Sequence, residues 1–256
     1  MLAIAASLIA ASMLVDRVPQ DLGYHLFADR RTLLGIPNFW NVVTNLPFTI
    51  FGALGLWKLR SYDKQVISEQ IRPAYYLFFL GLLVTGIGSS WYHLFPDNAS
   101  LVRDRLPMTV AFMALFTIVI GEYVCAQSAR RLLWPLLLVG ATSVLYWQLT
   151  EAHGIGDLRP YALVQFLPIV MIPIILLTYR SAFGGTAIYW GMLFLYAISK
   201  LLEKNDNELF QLFGQLSGHS IKHLVAGAAG WLFLYGLARR ARGENLRTVV
   251  PRSQVQ

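Results

Sequence analysis

The strongest constraint on this chain is a succession of apolar blocks, each close to the length that crosses a bilayer. A helix rises about 1.5 Å per residue, so about 20 apolar residues cover a hydrocarbon core about 30 Å thick. Seven such blocks lie at roughly 39–59, 74–95, 106–126, 132–150, 160–179, 186–202 and 217–238. An eighth, residues 1–15, is apolar but short. Only 14% of the residues are charged, against about 25% in an ordinary soluble domain. The connections are too short to hold a separate soluble domain. The expected fold is an all-α, polytopic transmembrane helix bundle of seven core spans plus a possible short N-terminal span. It forms one domain over 1–240, followed by a polar tail at 241–256 expected to be disordered and cytoplasmic.

Several function classes drop out at once. A single cysteine, Cys125, excludes an intramolecular disulfide framework and a cysteine-based zinc site. The formal charge of +7 does not point to nucleic acid, because basic residues in a membrane protein chiefly report topology. No long Lys/Arg-rich segment with interleaved aromatics is present. The segment MLAIAASLIAASMLV lacks the basic n-region of a secretory signal peptide. It reads instead as an extra short span or a membrane-embedded helix.

Alternate threading of seven spans puts twelve basic residues on one face: Lys58, Arg60, Lys64, Arg72, Arg130, Arg131, Arg180, Arg239, Arg240, Arg242, Arg247 and Arg252. The other nine of the 21 fall on the opposite face. Because the basic split sets orientation, the C-terminus is expected in the cytoplasm. The end of the second span and the starts of the third and seventh then share the non-cytoplasmic side. Those three places hold most of the unusual polar residues. Short loops suggest a bacterial inner membrane protein.

Two of the five histidines form the string SGHSIKHLVAG at the start of the last span. Four residues apart on a helix, His219 and His223 project from one face and can chelate one metal ion. The alternative is two interfacial histidines bonded to neighbours. Ser217 or Gly218 suits the N-cap, and Lys222 reads as a snorkelling side chain. In GIGSSWYHLFPDNASLVRDRLPM, Ser89 and His93 are also four apart. Asp104, just before Leu106 and Pro107, could be a helix N-cap, and Ser89 could bond back to its own helix. Gly86 and Gly88 suit close helix packing. Taken together, three histidines and an acid gathered by three helix ends suit a catalytic zinc, since three imidazoles leave a fourth position for water. Ionisable groups at membrane depth are expensive and usually functional. In NFWNVVTN, Asn38, Asn41 and Asn45 at i, i+3 and i+7 share a helical face and are expected to bond across helices, or else to hold the groups that surround a metal site.

At these strings the chain resembles the alkaline ceramidase family, within the wider seven-span membrane hydrolases related to the adiponectin and progestin receptors. NFWNVVTN, GSSWYH with RDRLPM, and GHSIKH occur in the family's order and spacing, over about residues 38–240. The resemblance implies that His93, His219 and His223 are zinc ligands and that Asp104 works with the zinc-bound water. It implies that Ser89 stabilises the developing oxyanion. The implied reaction is hydrolysis of the N-acyl amide of ceramide to a sphingoid base and a fatty acid. The pattern departs at the N-terminus, where eukaryotic members carry an acidic cluster for calcium. Here DLGYHLFADRRTLLGIPNFW has only Asp21 and Asp29, and Asn38 stands where the family often has Glu, so calcium is not expected. His25 and Asp29, four apart, could instead belong to a lid, a second metal site or a surface salt bridge. His153, in EAHGIGD, reads as part of a solvated loop.

The leading reading is a zinc-dependent amidase acting on a ceramide-like lipid in the bilayer. Two others stay open: a lipid-binding receptor or scaffold with a structural zinc, and a zinc hydrolase of another acyl amide or ester. The sequence carries no signal for oligomeric state or acyl-chain preference.

Overall fold

The structure, a computed structural model, describes residues 2–244. The expected disordered tail at 241–256 lies, from residue 245 onward, outside the described residues. Ten α-helices are found among the described residues: α1 (Leu2–Leu14), α2 (Phe39–Val43), α3 (Leu46–Leu59), α4 (Arg72–Leu94), α5 (Asn98–Tyr123), α6 (Ala126–Ala152), α7 (Arg159–Thr178), α8 (Thr186–Lys204), α9 (Asp206–Phe213) and α10 (Gly218–Ala241).

Six segments are long and apolar enough to cross a membrane: Phe39–Leu59, Glu69–Leu94 and the helices α5, α6, α7 and α10. The sixth expected block forms α8, which falls short in apolarity because Lys200, Glu203 and Lys204 load its last turns. The 13 residues of α1 reach only about 20 Å. This helix packs beside α7 instead of completing a crossing. The first block is also broken: Thr44 and Asn45 separate α2 from α3, with Pro47 in the first turn of α3. A proline ring clashes with the carbonyl four residues earlier, and here that residue is Val43, the last of α2.

Local chemistry sets the helix ends. Asp97 and Ser100 form a reciprocal capping box at the start of α5, with Ser100 N–H donating to Asp97 Oδ1 at 2.6 Å. Ser217 caps α10 by accepting from Ser220 N–H at 3.2 Å. The α4–α5 packing is close: a Cβ on Gly88 would meet the Arg103 carbonyl oxygen at 2.0 Å, so only glycine allows the two backbones to approach.

The helices run back and forth between two poles. At one pole Arg240 of α10 pairs with Glu122 of α5, and Tyr123 donates to Thr186 of α8. At the other, the ends of α4 and α8 meet the starts of α5 and α10. Mid-bundle, Phe233 packs within 6.3 Å, centroid to centroid, of Tyr75, Phe78, Phe79 and Tyr189. Large apolar side chains also cover the outside, including Trp134 and Leu138 on α6, Leu177 on α7 and Phe194 on α8. Helices that are apolar all round suit a lipid exterior.

Candidate metal centre

His93 lies in the last turn of α4, and His219 and His223 lie in the first turns of α10; all three are buried. Each offers one ring nitrogen, and the three nitrogens lie within 4.8 Å of one another. His93 Nε2 and His219 Nε2 are 3.4 Å apart. Two ligands bound tetrahedrally about 2.05 Å from one zinc ion would stand about 3.3 Å apart, so this pair fits such an ion without rearrangement. At most one of two facing nitrogens can carry a proton for the other, and His93 Nδ1 has no hydrogen-bond partner. Three buried imidazoles that turn ring nitrogens toward one another suit a cation. Among the described residues no fourth His, Cys, Asp or Glu belongs to the cluster.

Ser89 and Asp104 lie at the same pole of the bundle as this cluster. Ser89 is one turn before His93 on α4, and Asp104 sits two turns inside α5 where that helix crosses Gly88. Both are buried, on the faces where α4 and α5 pack together. The alternative of Asp104 as a helix cap is excluded, since Asp97 caps α5. It is Ser90, not Ser89, that bonds back to its own helix, at Gly86 O (2.8 Å). The five candidate residues thus sit on α4, α5 and α10 at one pole of the bundle.

The asparagine string of α2 braces these elements. Asn38 Nδ2 donates to His93 O at 2.8 Å, and Ser220 Oγ donates to Asn41 Oδ1 at 2.7 Å. Asn45 turns back to Asn41 O at 2.8 Å, because the helix break takes it off the shared face. Thr44 Oγ1 lies 3.1 Å from His223 Nδ1.

The segment between α1 and α2 crosses over the cluster. Phe27 places its ring 4.6 Å from His93 and 4.9 Å from His219, centroid to centroid. Its neighbour Ala28 donates its N–H to Asp206 Oδ2 at 2.9 Å, while Asp206 Oδ1 accepts the His219 N–H at 2.6 Å. Asp29 is committed to Arg31 at 2.7 Å. Burial would raise the Asp29 pKa, but hydrogen bonds and charge from Arg31 prevail and hold it below the usual value. His25 bonds Tyr92 Oη and Asn98 Oδ1, both at 2.9 Å, and has no bond to Asp29. Asp21 accepts from Gly23 N–H at 2.8 Å. His153 is exposed, in contact with Leu149 O.

Lys222 does not snorkel. It pairs with Glu203 of α8, which also holds Lys200 at 2.7 Å. The sequence reading missed Glu203, Asp206, Phe27 and Thr44. Lys200 and Glu203, three apart on α8, were the one local hint.

The family model described as Ceramidase matches residues 34–238, a stretch that contains Ser89, His93, Asp104, His219 and His223. A curated relative described as putative alkaline ceramidase dcd3A, from Dictyostelium discoideum, is 27% identical over 124 residues. That match covers 41% of this chain and 43% of the relative, so less than half the relative's length is spanned. With most of its length matched by one family model, this chain belongs to the Ceramidase family.

Proposed function

We propose that the protein is a zinc-dependent intramembrane amidohydrolase that cleaves the N-acyl amide of ceramide or a related lipid, releasing a sphingoid base and a fatty acid. The observation that carries this reading is the convergence of three buried imidazoles at the pole of the bundle where buried Ser89 and Asp104 also lie. Family membership supports it independently. Structural zinc sites normally have four protein ligands, catalytic ones three, so a three-histidine cluster favours the enzyme over a scaffold.

His93, His219 and His223 would hold the metal. When bound, zinc would supply Lewis acidity, lowering the pKa of water to about 7 and polarising the scissile carbonyl. Asp104 accepts the proton of the attacking water and returns it to the leaving nitrogen, so water adds across the C–N bond and acid and amine depart. Ser89 donates to the carbonyl oxygen as negative charge develops there. Asn38 holds the His93 backbone in place while this happens, and Asn41 holds Ser220 between His219 and His223. The site pole faces the non-cytoplasmic side, with the C-terminus cytoplasmic.

The test is zinc content and ceramide-amide hydrolysis of detergent-purified protein, wild type beside His223→Ala. About one zinc per chain and metal-dependent turnover, both lost in the variant, are expected. A wild type that binds no zinc, or a variant that retains zinc and full turnover, would overturn the assignment.

A further inference from the structure

We propose that Thr44 fixes the tautomer of His223, holding the proton on Nδ1 so that Nε2 presents its lone pair to a metal ion. The inference rests on the reading of the histidine cluster as a metal centre and adds a positioning residue to it.

The argument is a count of protons. Thr44 Oγ1 lies 2.6 Å from the carbonyl oxygen of Trp40. A carbonyl has no proton to give, so a contact that short requires the threonine hydroxyl to donate. A hydroxyl has one proton and two lone pairs. With its proton committed to Trp40, Thr44 can only accept from its other neighbour, His223 Nδ1, at 3.1 Å. His223 Nδ1 therefore carries the hydrogen. A neutral imidazole has one N–H, so Nε2 is left as the acceptor.

The placement makes this more than a local bond. Thr44 and His223 are both buried, so no bulk water stands in for the missing partner. Thr44 occupies the break between α2 and α3, where the turn forced by Pro47 leaves its hydroxyl one helical turn from Trp40 O. The residues are 179 positions apart in the chain, so the bond also ties α2 to α10. Among the three histidines, His223 alone has its ring orientation set by a side-chain hydroxyl; His93 Nδ1 has no partner. Partners of this kind set tautomer and ring orientation, and losing one typically weakens metal affinity about 10–100-fold.

The experiment compares detergent-purified wild type, Thr44→Val and Thr44→Ser. Valine keeps the shape and removes the acceptor; serine keeps the oxygen. Zinc affinity is read by competition with a chelator. The His223 tautomer is read in the metal-free proteins from 15N-histidine spectra, assigned with His223→Ala. The expected result is an Nδ1-protonated His223 in wild type and Thr44→Ser, an Nε2-protonated one in Thr44→Val, and zinc affinity about 10–100-fold weaker in valine alone. An Nε2-protonated His223 in wild type overturns the proposal. So does equal zinc affinity in wild type and Thr44→Val, or a serine variant as weak as the valine one. Should wild type take up no zinc while its spectrum shows the Nδ1-protonated form, the metal-centre reading and the presentation to metal fall together, and only the tautomer assignment stands.

Discussion

Arg240 grips Glu122 with both terminal guanidinium nitrogens, at 2.6 and 2.8 Å, at the pole of the bundle opposite the histidines. The glutamate is fully buried and also accepts from Tyr75 Oη at 2.7 Å. Removing one partner leaves a charge with no counterpart in a dry interior, at a cost of about 3–5 kcal/mol. Arg240→Ala should therefore lower the melting temperature in detergent markedly. Zinc content of the protein that remains folded should stay at the wild-type value, because no member of the histidine cluster is touched. Loss of zinc at unchanged stability would contradict this separation of the two poles.

Asp104 and Ser89 are expected to divide chemistry from binding. Asp104→Asn keeps shape and hydrogen bonding but removes the proposed proton acceptor, and should reduce turnover by about 10²–10⁴. Ser89→Ala should reduce it by about 10²–10³. Neither should abolish zinc binding. Metal analysis alongside single-turnover hydrolysis checks both.

Gly88 offers a steric test. Its Cβ in Gly88→Ala would run into backbone, the Arg103 carbonyl, at 2.0 Å, whereas that of Gly236→Ala would meet the Ile188 side chain at 2.9 Å. Backbone cannot yield as a side chain can. Gly88→Ala should cost more than the about 1–3 kcal/mol typical of overpacking, and Gly236→Ala should fall at or below that range. Gly88→Ala should also lose hydrolysis in whatever fraction folds, since the displaced helices carry Ser89 and Asp104. Thermal melts and specific activity of the two variants make the comparison.

The acid limit of stability should be traceable to Asp29. A carboxyl whose folded pKa is depressed contributes stability that is complete above its unfolded value, about 3.9. That contribution is lost as pH falls through the folded value. Arg31 holds Asp29 in this condition. Wild type should melt above Asp29→Asn by a constant margin from pH 7 to about 5, and the two curves should converge below about pH 4. A margin that instead grows on acidification would show that Arg31 does not control this carboxyl. Asp157, held low first by its hydrogen bond from Arg159 and buried at the start of α7, should behave in the same direction.

The sequence exposed what depends on composition and short-range spacing. Apolar blocks mark membrane helices because lipid tolerates little else, and the four-residue spacings Ser89–His93 and His219–His223 reveal shared faces. Even the poles could be sorted by threading. What stayed hidden depends on partners far along the chain. Thr44 is one threonine in an apolar run, and only the fold places it against His223. Lys222 looked like an interfacial lysine because Glu203, 19 residues earlier, belongs to another helix. Asp104 looked like a cap because the true start of α5, at Asp97 and Ser100, lies in a stretch resembling a loop. Helix α8 lost its standing as a clear span through the same charged residues, Lys200 and Glu203, that close a network beside the site.

One carboxylate, Asp206, does two jobs at once. Its two oxygens hold the overlying segment at Ala28 and the first turn of α10 at His219. Lifting the roof and loosening the floor are thus not independent events. A displacement of Phe27 would pull, through Ala28, on the same carboxylate that accepts the His219 N–H. The covering segment and a metal-facing turn of α10 thus share one anchor.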